Sequence, residues 1–345
     1  MKNIWFLIIG FSIFYSCRTD DNDVSVGNTI ACKDLDRENT GGAQIIGGFV
    51  TEGPQFKAPN FNPLNQNEFV YGYEDRDSRT FKLIKATING SNTKELAEDV
   101  RLISQPKWSK KGWIAFDNYY NGNYEIGLVK PNGDSLTQHT NSRYNLYPVW
   151  NQLGNELYWQ YSPVLGVPTY FLNSNVKQQT IDTIYGSGDI NEGFIAYGDI
   201  SLGGQLLGET YINRETTLGL AKLPAKALKN VMIDDSFISP GGFIGLDGLT
   251  WSNNEQIAYF TLYGSGIYKI NVVTGFYEEI MDFCGSKSYK NIDCSADGNF
   301  LIGELVQSKI QLDVNGNQTR NTVNQSYIGL INLHTMEETI IVSEL

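Results

Sequence analysis

A phrase that recurs along the chain constrains its fold more than any other feature. Pro106-Lys107-Trp108-Ser109 leads to Gly112 and Ile114-Ala115-Phe116, and Pro148-Val149-Trp150-Asn151 leads to Gly154 and Leu157-Tyr158-Trp159. The two tryptophans are 42 residues apart, the spacing of one four-stranded blade in a radial propeller. The phrase returns in weaker form at Asn60-Phe61-Asn62, Asp199-Ile200-Ser201, Thr250-Trp251-Ser252 and Asp293-Cys294-Ser295. With Phe61, Trp108, Trp150, Ile200, Trp251 and Cys294 as equivalents, the steps are 47, 42, 50, 51 and 43 residues. Six copies predict an all-β chain, a six-bladed β-propeller of four-stranded antiparallel blades.

Each copy makes sense as an inner strand, a tight turn and a second strand. The apolar residue before Ser or Asn packs against a neighbouring blade, and Asp-Gly or its substitute supplies the positive φ of a two-residue hairpin. Apolar triplets such as Ile114-Ala115-Phe116 suit a strand buried on both faces. Blade two continues with Tyr124 to Val129 as its third strand, Pro131-Asn132-Gly133-Asp134 as a turn and Ser135 to Gln138 as the outer strand.

The pattern apolar-Trp-Ser-x-x-Gly-x-x-Ile-Ala-Phe, followed by Asn-Gly-Asn-Tyr-Glu-Ile and the Pro-Asn-Gly-Asp turn, resembles the repeat of TolB-like six-bladed propellers. The resemblance is strong over 106–160, moderate over 248–302 and weak elsewhere. It implies a protein-interaction scaffold of the bacterial cell envelope, in a family whose propeller also occurs as a non-catalytic module attached to peptidases. With the chain ending at Leu345 soon after the sixth copy, no hydrolase domain and no enzymatic activity are expected.

Lys2, the apolar run Ile4 to Phe14 and then Tyr15-Ser16-Cys17 form a stretch too short for a spanning helix and suited to an export leader. Its end resembles a lipoprotein cleavage site, which makes residues 1–16 a signal peptide and Cys17 the lipidated residue. Acyl chains contribute roughly 0.8 kcal/mol per buried CH₂, enough to anchor the protein with no transmembrane segment. Residues 17–42, opening on Arg18-Thr19-Asp20-Asp21-Asn22-Asp23, carry no hydrophobic period and form a flexible tether. Residues 43–345 form the propeller, and the expected location is the outer membrane, on either side of it. Gln44 to Val50 has strand character and is expected to close the ring beside Tyr327 to Ile331 and Glu338 to Val342.

The net charge of −12 argues against nucleic acid and against adhesion to anionic lipid. Cys32, Cys284 and Cys294 leave one free thiol in an oxidising compartment. Cys32 with Cys284 is the first pairing to consider and Cys284 with Cys294 the second.

Catalytic chemistry is hard to assemble. His139 and His334 are the two histidines, too few for a three-histidine metal site, and no Gly-x-Ser-x-Gly elbow occurs. Neither a metal nor another cofactor is expected. Asp117, Asp199 and Glu209, near the ends of inner strands, are the weak candidates for glycosidase carboxylates, which need a separation of roughly 5 to 9.5 Å.

Aromatic residues offer a better signal. Connections from second to third strand and from blade to blade share one face, around the channel mouth. That face receives Arg76, Tyr119, Tyr120, Arg143, Tyr144, Tyr161, Arg214 and Tyr263, residue types suited to recognition. The reading that follows is an envelope lipoprotein binding a protein or peptide partner there. A surface glycan-binding protein is the alternative, with a carbohydrate-active enzyme behind it.

Overall fold

The computed structural model describes residues 49–343 except 52, 121, 164–169, 178–179, 186–191, 213–214, 224–227, 232–245, 263–265, 284–286 and 313–317. Six sheets follow one another along the chain, each built on four antiparallel strands consecutive in sequence, and the sixth carries a fifth strand. No α-helix occurs among the described residues. The inner strands are Gln55–Asn62, Lys107–Trp108, Asn145–Trp150, Glu192–Ile200, Leu246–Trp251 and Lys287–Cys294. Each ends at or one residue beyond a repeated position.

Alternation along the strands explains why the sheets stack into a ring. In the second strand of blade two, Ile114–Tyr120, Ile114 and Phe116 pack with Val70 and Leu83 of blade one, while Ala115 packs with Trp150 and Trp159 of blade three. In blade four, Leu206 faces blade three and Leu207 faces blade five. Successive side chains thus enter opposite interfaces, and the described apolar core is six clusters, one per interface. Trp108, Trp150 and Trp251 each sit in one, at 5–6% exposure.

The repeated turn matches the expected two-residue hairpin in blade one, where Pro63 and Leu64 separate paired Asn62 and Asn65, and is longer in blades two to six. Trp108 pairs with Ile114 across the longer turn, and Trp150 with Leu157. The Gly112 N–H donates to the Ser109 carbonyl at 2.9 Å, and Ser109 Oγ accepts from Lys111 and Trp113 N–H at 3.2 and 3.0 Å. Ser201 and Ser295 accept backbone N–H groups in the same way. Positive φ is confined to the glycine, at 70° in Gly112 and 69° in Gly154. A hydroxyl that captures two N–H groups holds a wider loop than Asp-Gly does.

The N-terminal strand joins the sixth sheet, as a fifth strand. Phe49–Thr51 runs parallel to Thr322–Asn324; the fourth place is already filled by Glu338–Val342, paired to Ile328–Ile331. Room for it comes from the stretch 307–325, which is an extended hairpin: the strands Phe300–Leu312 and Gln318–Asn332 run 13 and 15 residues. Residues 44–48 lie outside the described residues.

A Cβ at Gly154 would stand 2.8 Å from the Lys110 nitrogen in the neighbouring blade, whereas one at Gly112 would meet nothing within 4 Å. Both Ala variants carry the positive-φ penalty of about 1–2 kcal/mol. Urea unfolding should therefore show Gly154→Ala losing clearly more stability than Gly112→Ala; equal losses would contradict the close approach of the two turns.

Candidate functional site

The axial end of the repeated phrase forms a cavity of about 160 Å³ lined by all six blades. The six repeated apolar residues line it, as do the six residues immediately before them: Asn60, Lys107, Val149, Asp199, Thr250 and Asp293. Alternation sends these two positions in opposite directions around the ring. The preceding residue reaches forward to the next blade. Asn60 Oδ1 accepts the Trp108 N–H at 2.8 Å, Asp199 Oδ2 that of Trp251 at 3.0 Å, Thr250 Oγ1 that of Cys294 at 3.2 Å and Asp293 Oδ2 that of Phe61 at 2.8 Å. The repeated tryptophans reach back: the Trp150 and Trp251 indoles donate to the Lys107 and Asp199 carbonyls at 2.8 and 3.0 Å.

Lys107 and Val149 cannot accept such a bond. Lys107 instead directs its ammonium at Asp199, with Nζ 3.6 Å from Oδ1. Thr250 Oγ1 lies between the two carboxylates, 3.4 Å from Asp199 and 3.3 Å from Asp293. Burial raises the Asp293 carboxyl to about 7, with Asp199 adding to the rise and Lys107 opposing it. Further along the axis the Gln105 amide ties blade two to blades one and six, donating to the carbonyls of Pro59, Asn291 and Ile292.

This cavity opens on the face of the first turns, opposite the face on which the recognition residues are expected. On that other face the structure brings some of them together. Tyr119, 41% exposed, lies 5.0 Å ring to ring from Tyr124, which lies 6.5 Å from Tyr144. Tyr161 packs at 5.8 Å on Tyr170, and the Ser162 N–H donates to the Tyr144 carbonyl at 3.1 Å. Arg143 and Tyr144 both have positive φ, 69° and 48°. Buried Glu125 holds that bend, accepting from the Arg143 N–H at 3.0 Å, Thr140 Oγ1 at 2.6 Å and Asn145 Nδ2 at 2.8 Å. Strain at this loop therefore has an identifiable source of support.

Arg76 is ion-paired to Glu74 in blade one. Tyr120 ends the second strand of blade two; Arg214 and Tyr263 lie outside the described residues, as do Cys17, Cys32 and Cys284. Cys294 carries a free thiol. His139 Nε2 contacts Ser174 Oγ at 2.7 Å and its ring stands edge-on to Trp159, so blade packing rather than exposure defines it. Asp117 is buried and occupied, accepting from Ile103 and Ser104 N–H. With Glu209 it raises the Tyr147 phenol to about 12, burial being the larger cause. No group of three metal-ligating side chains gathers among the described residues. Tyr124, Tyr170 and Glu125 escaped the sequence reading, because they begin third strands and meet the loop residues only across a hairpin.

No protein-family model matches the sequence, and no curated protein matches it. Solved structures do. The β-propeller domain of the trilobed protease from Pyrococcus furiosus is similar at 11% identity and a TM-score of 0.53, over 85% of this chain and 97% of that one. TolB from Acinetobacter baumannii is similar at 12% identity and a TM-score of 0.51, over 64% of this chain and 53% of that one. A puromycin hydrolase is similar at 11% and 0.53, over 84% and 54%. The chain thus spans about half the length of the TolB and hydrolase chains. At such identity the likeness is one of fold, and that fold is the six-bladed β-propeller. The expectation of a chain without enzymatic activity is overturned by the same comparison. Propellers of this architecture belong to a protease and a hydrolase, so missing motifs do not set this chain apart from enzymes.

The folded chain holds a proton on Asp293 that an unfolded Asp releases above 3.8. This group's stabilisation is therefore complete below about 3.8, declines as pH rises and is lost by about 7. In urea midpoints measured across that window, wild type should fall relative to Asp293→Asn. A constant difference between the two would contradict the buried proton.

Proposed function

We propose that this protein is an envelope lipoprotein, held at the outer membrane through Cys17, whose propeller binds a protein or peptide partner on the tyrosine-bearing face of blades two and three. The observation that carries the reading is the run Tyr119, Tyr124, Tyr144, whose last member sits on a backbone bend locked by a buried carboxylate. Rigid aromatic side chains give contact area at low entropic cost, and phenol tips give directional bonds. Exposure of Tyr119 leaves one ring of the run open to a partner. The TolB-like architecture supports the same reading, since loops on a fixed scaffold carry recognition in such folds.

Detergent-solubilised full-length protein, used to capture partners from envelope extract, should retain a specific protein. The Tyr119→Ala/Tyr144→Ala variant should lose about tenfold or more in affinity for it. Retention unaffected by the double substitution, or saturable binding of a polysaccharide in place of any protein, would overturn the assignment.

A further inference from the structure

On the face opposite the tyrosines, a groove of about 730 Å³ runs between blades one and two, adjoining the axial cavity at Trp108. Lys85 and Lys94 line it from blade one, Lys111 and Lys130 from blade two. Four ammonium groups in one groove stand out in a chain whose net charge is −12.

Four lysines against two acids, Glu68 and Asp134, leave the groove positive by two charges. Glu68 is committed to Lys85, at 3.3 Å, and to the Asn62 amide, at 2.9 Å. Asp134 accepts the Asn132 amide at 2.6 Å within its own turn. Lys94 and Lys111 are exposed and have no ion-pair partner among the described residues. Lys130 is held in place, with Nζ 3.7 Å from the Trp113 ring centroid and 3.5 Å from the Lys111 carbonyl oxygen. Partial burial lowers its pKa, a penalty that a neighbouring anion would offset. The walls are kept in register because the Gly133 turn of blade two rests on the Glu95 and Leu96 backbone of blade one.

We infer that this groove binds an acidic peptide segment of a partner protein, its carboxylates pairing with Lys94 on one wall and Lys111 on the other. A peptide fits better than an anionic glycan. Sugars lie flat on open aromatic faces, and none is open here: Trp108 is 6% exposed and Lys130 covers the Trp113 ring. Leu64, 70% exposed at the edge of the groove, instead offers apolar contact to a side chain. Because the groove and the tyrosines lie on opposite faces, occupation of one leaves the other free.

The test is fluorescence anisotropy of a labelled hexaglutamate peptide titrated with the full-length protein. Saturable binding should weaken steeply as salt is raised and should fall about tenfold in Lys94→Gln/Lys111→Gln. The control Lys177→Gln/Lys222→Gln removes the same charge from exposed positions of blades three and four and should bind like wild type. Absence of saturable binding, equal losses in the two double variants, or displacement by oligogalacturonate at lower concentration than by unlabelled peptide would each overturn the inference.

Discussion

The inner strand of every blade has a neighbour on one side and the channel axis on the other, so the N–H groups along its axial edge have no strand to pair with. A six-bladed ring carries six such edges into a space too narrow for another strand. The structure answers with side chains: Asn60, Asp199, Thr250 and Asp293 each accept the N–H of the repeated residue in the next blade. This role needs an acceptor and nothing more, and amide, carboxylate and hydroxyl all serve. Two carboxylates consequently stand near each other at the axis. Protonation of Asp293, the Lys107 ammonium and the Thr250 hydroxyl between them are the terms that make the arrangement tolerable.

Ring closure follows from the same device. Blade six meets blade one through an apolar interface like the other five, with Phe61, Phe69 and Tyr71 against Ile302 and Ile328. It adds the Asp293 bond to Phe61, the Ala58 N–H to Glu304 at 3.2 Å and the Ser326 N–H to Gln55 at 2.9 Å. All four strands of blade six come from 287–342, so the N-terminal strand extends that sheet and leaves its four-strand core intact. Contact between whole blade faces, together with side-chain caps, does the closing.

The blades were legible because the residue that fills each interface is large, apolar and followed by a turn with strict demands: Trp108 and Trp150 mark the period on their own. The axial ring was less legible although it sits one residue earlier in every copy. Asn60, Lys107, Val149, Asp199, Thr250 and Asp293 share a position but no chemical type, and only the alternation of a strand already aligned shows that they face one space. Turn length was misjudged for a related reason. The Ser-x-x-Gly spacing was in view, but the hydroxyl's capture of two N–H groups, which widens the loop, belongs to the folded backbone. Tyr124 shows the limit most clearly: nothing nearby in sequence marks it as functional, and it gains its place by pairing opposite Tyr119.

The two ends of the propeller differ because their connections answer to different constraints. At the first-turn end each loop must fold back within a few residues, and its Ser or Asn is spent on its own backbone; the side chains left free to face solvent there are others, such as Lys111 in the turn of blade two and Lys94 at the start of a fourth strand. At the other end the connections are free to vary, and one of them carries strained backbone at Arg143 and Tyr144. Such a bend persists only where the surroundings over-determine it, and Glu125 does so with three accepted bonds. A buried carboxylate is a costly way to hold a loop that has nothing to display. A flat polar connection could join blades two and three without it, so the presence of Glu125 is an argument for the tyrosine face that does not depend on how many tyrosines the chain contains.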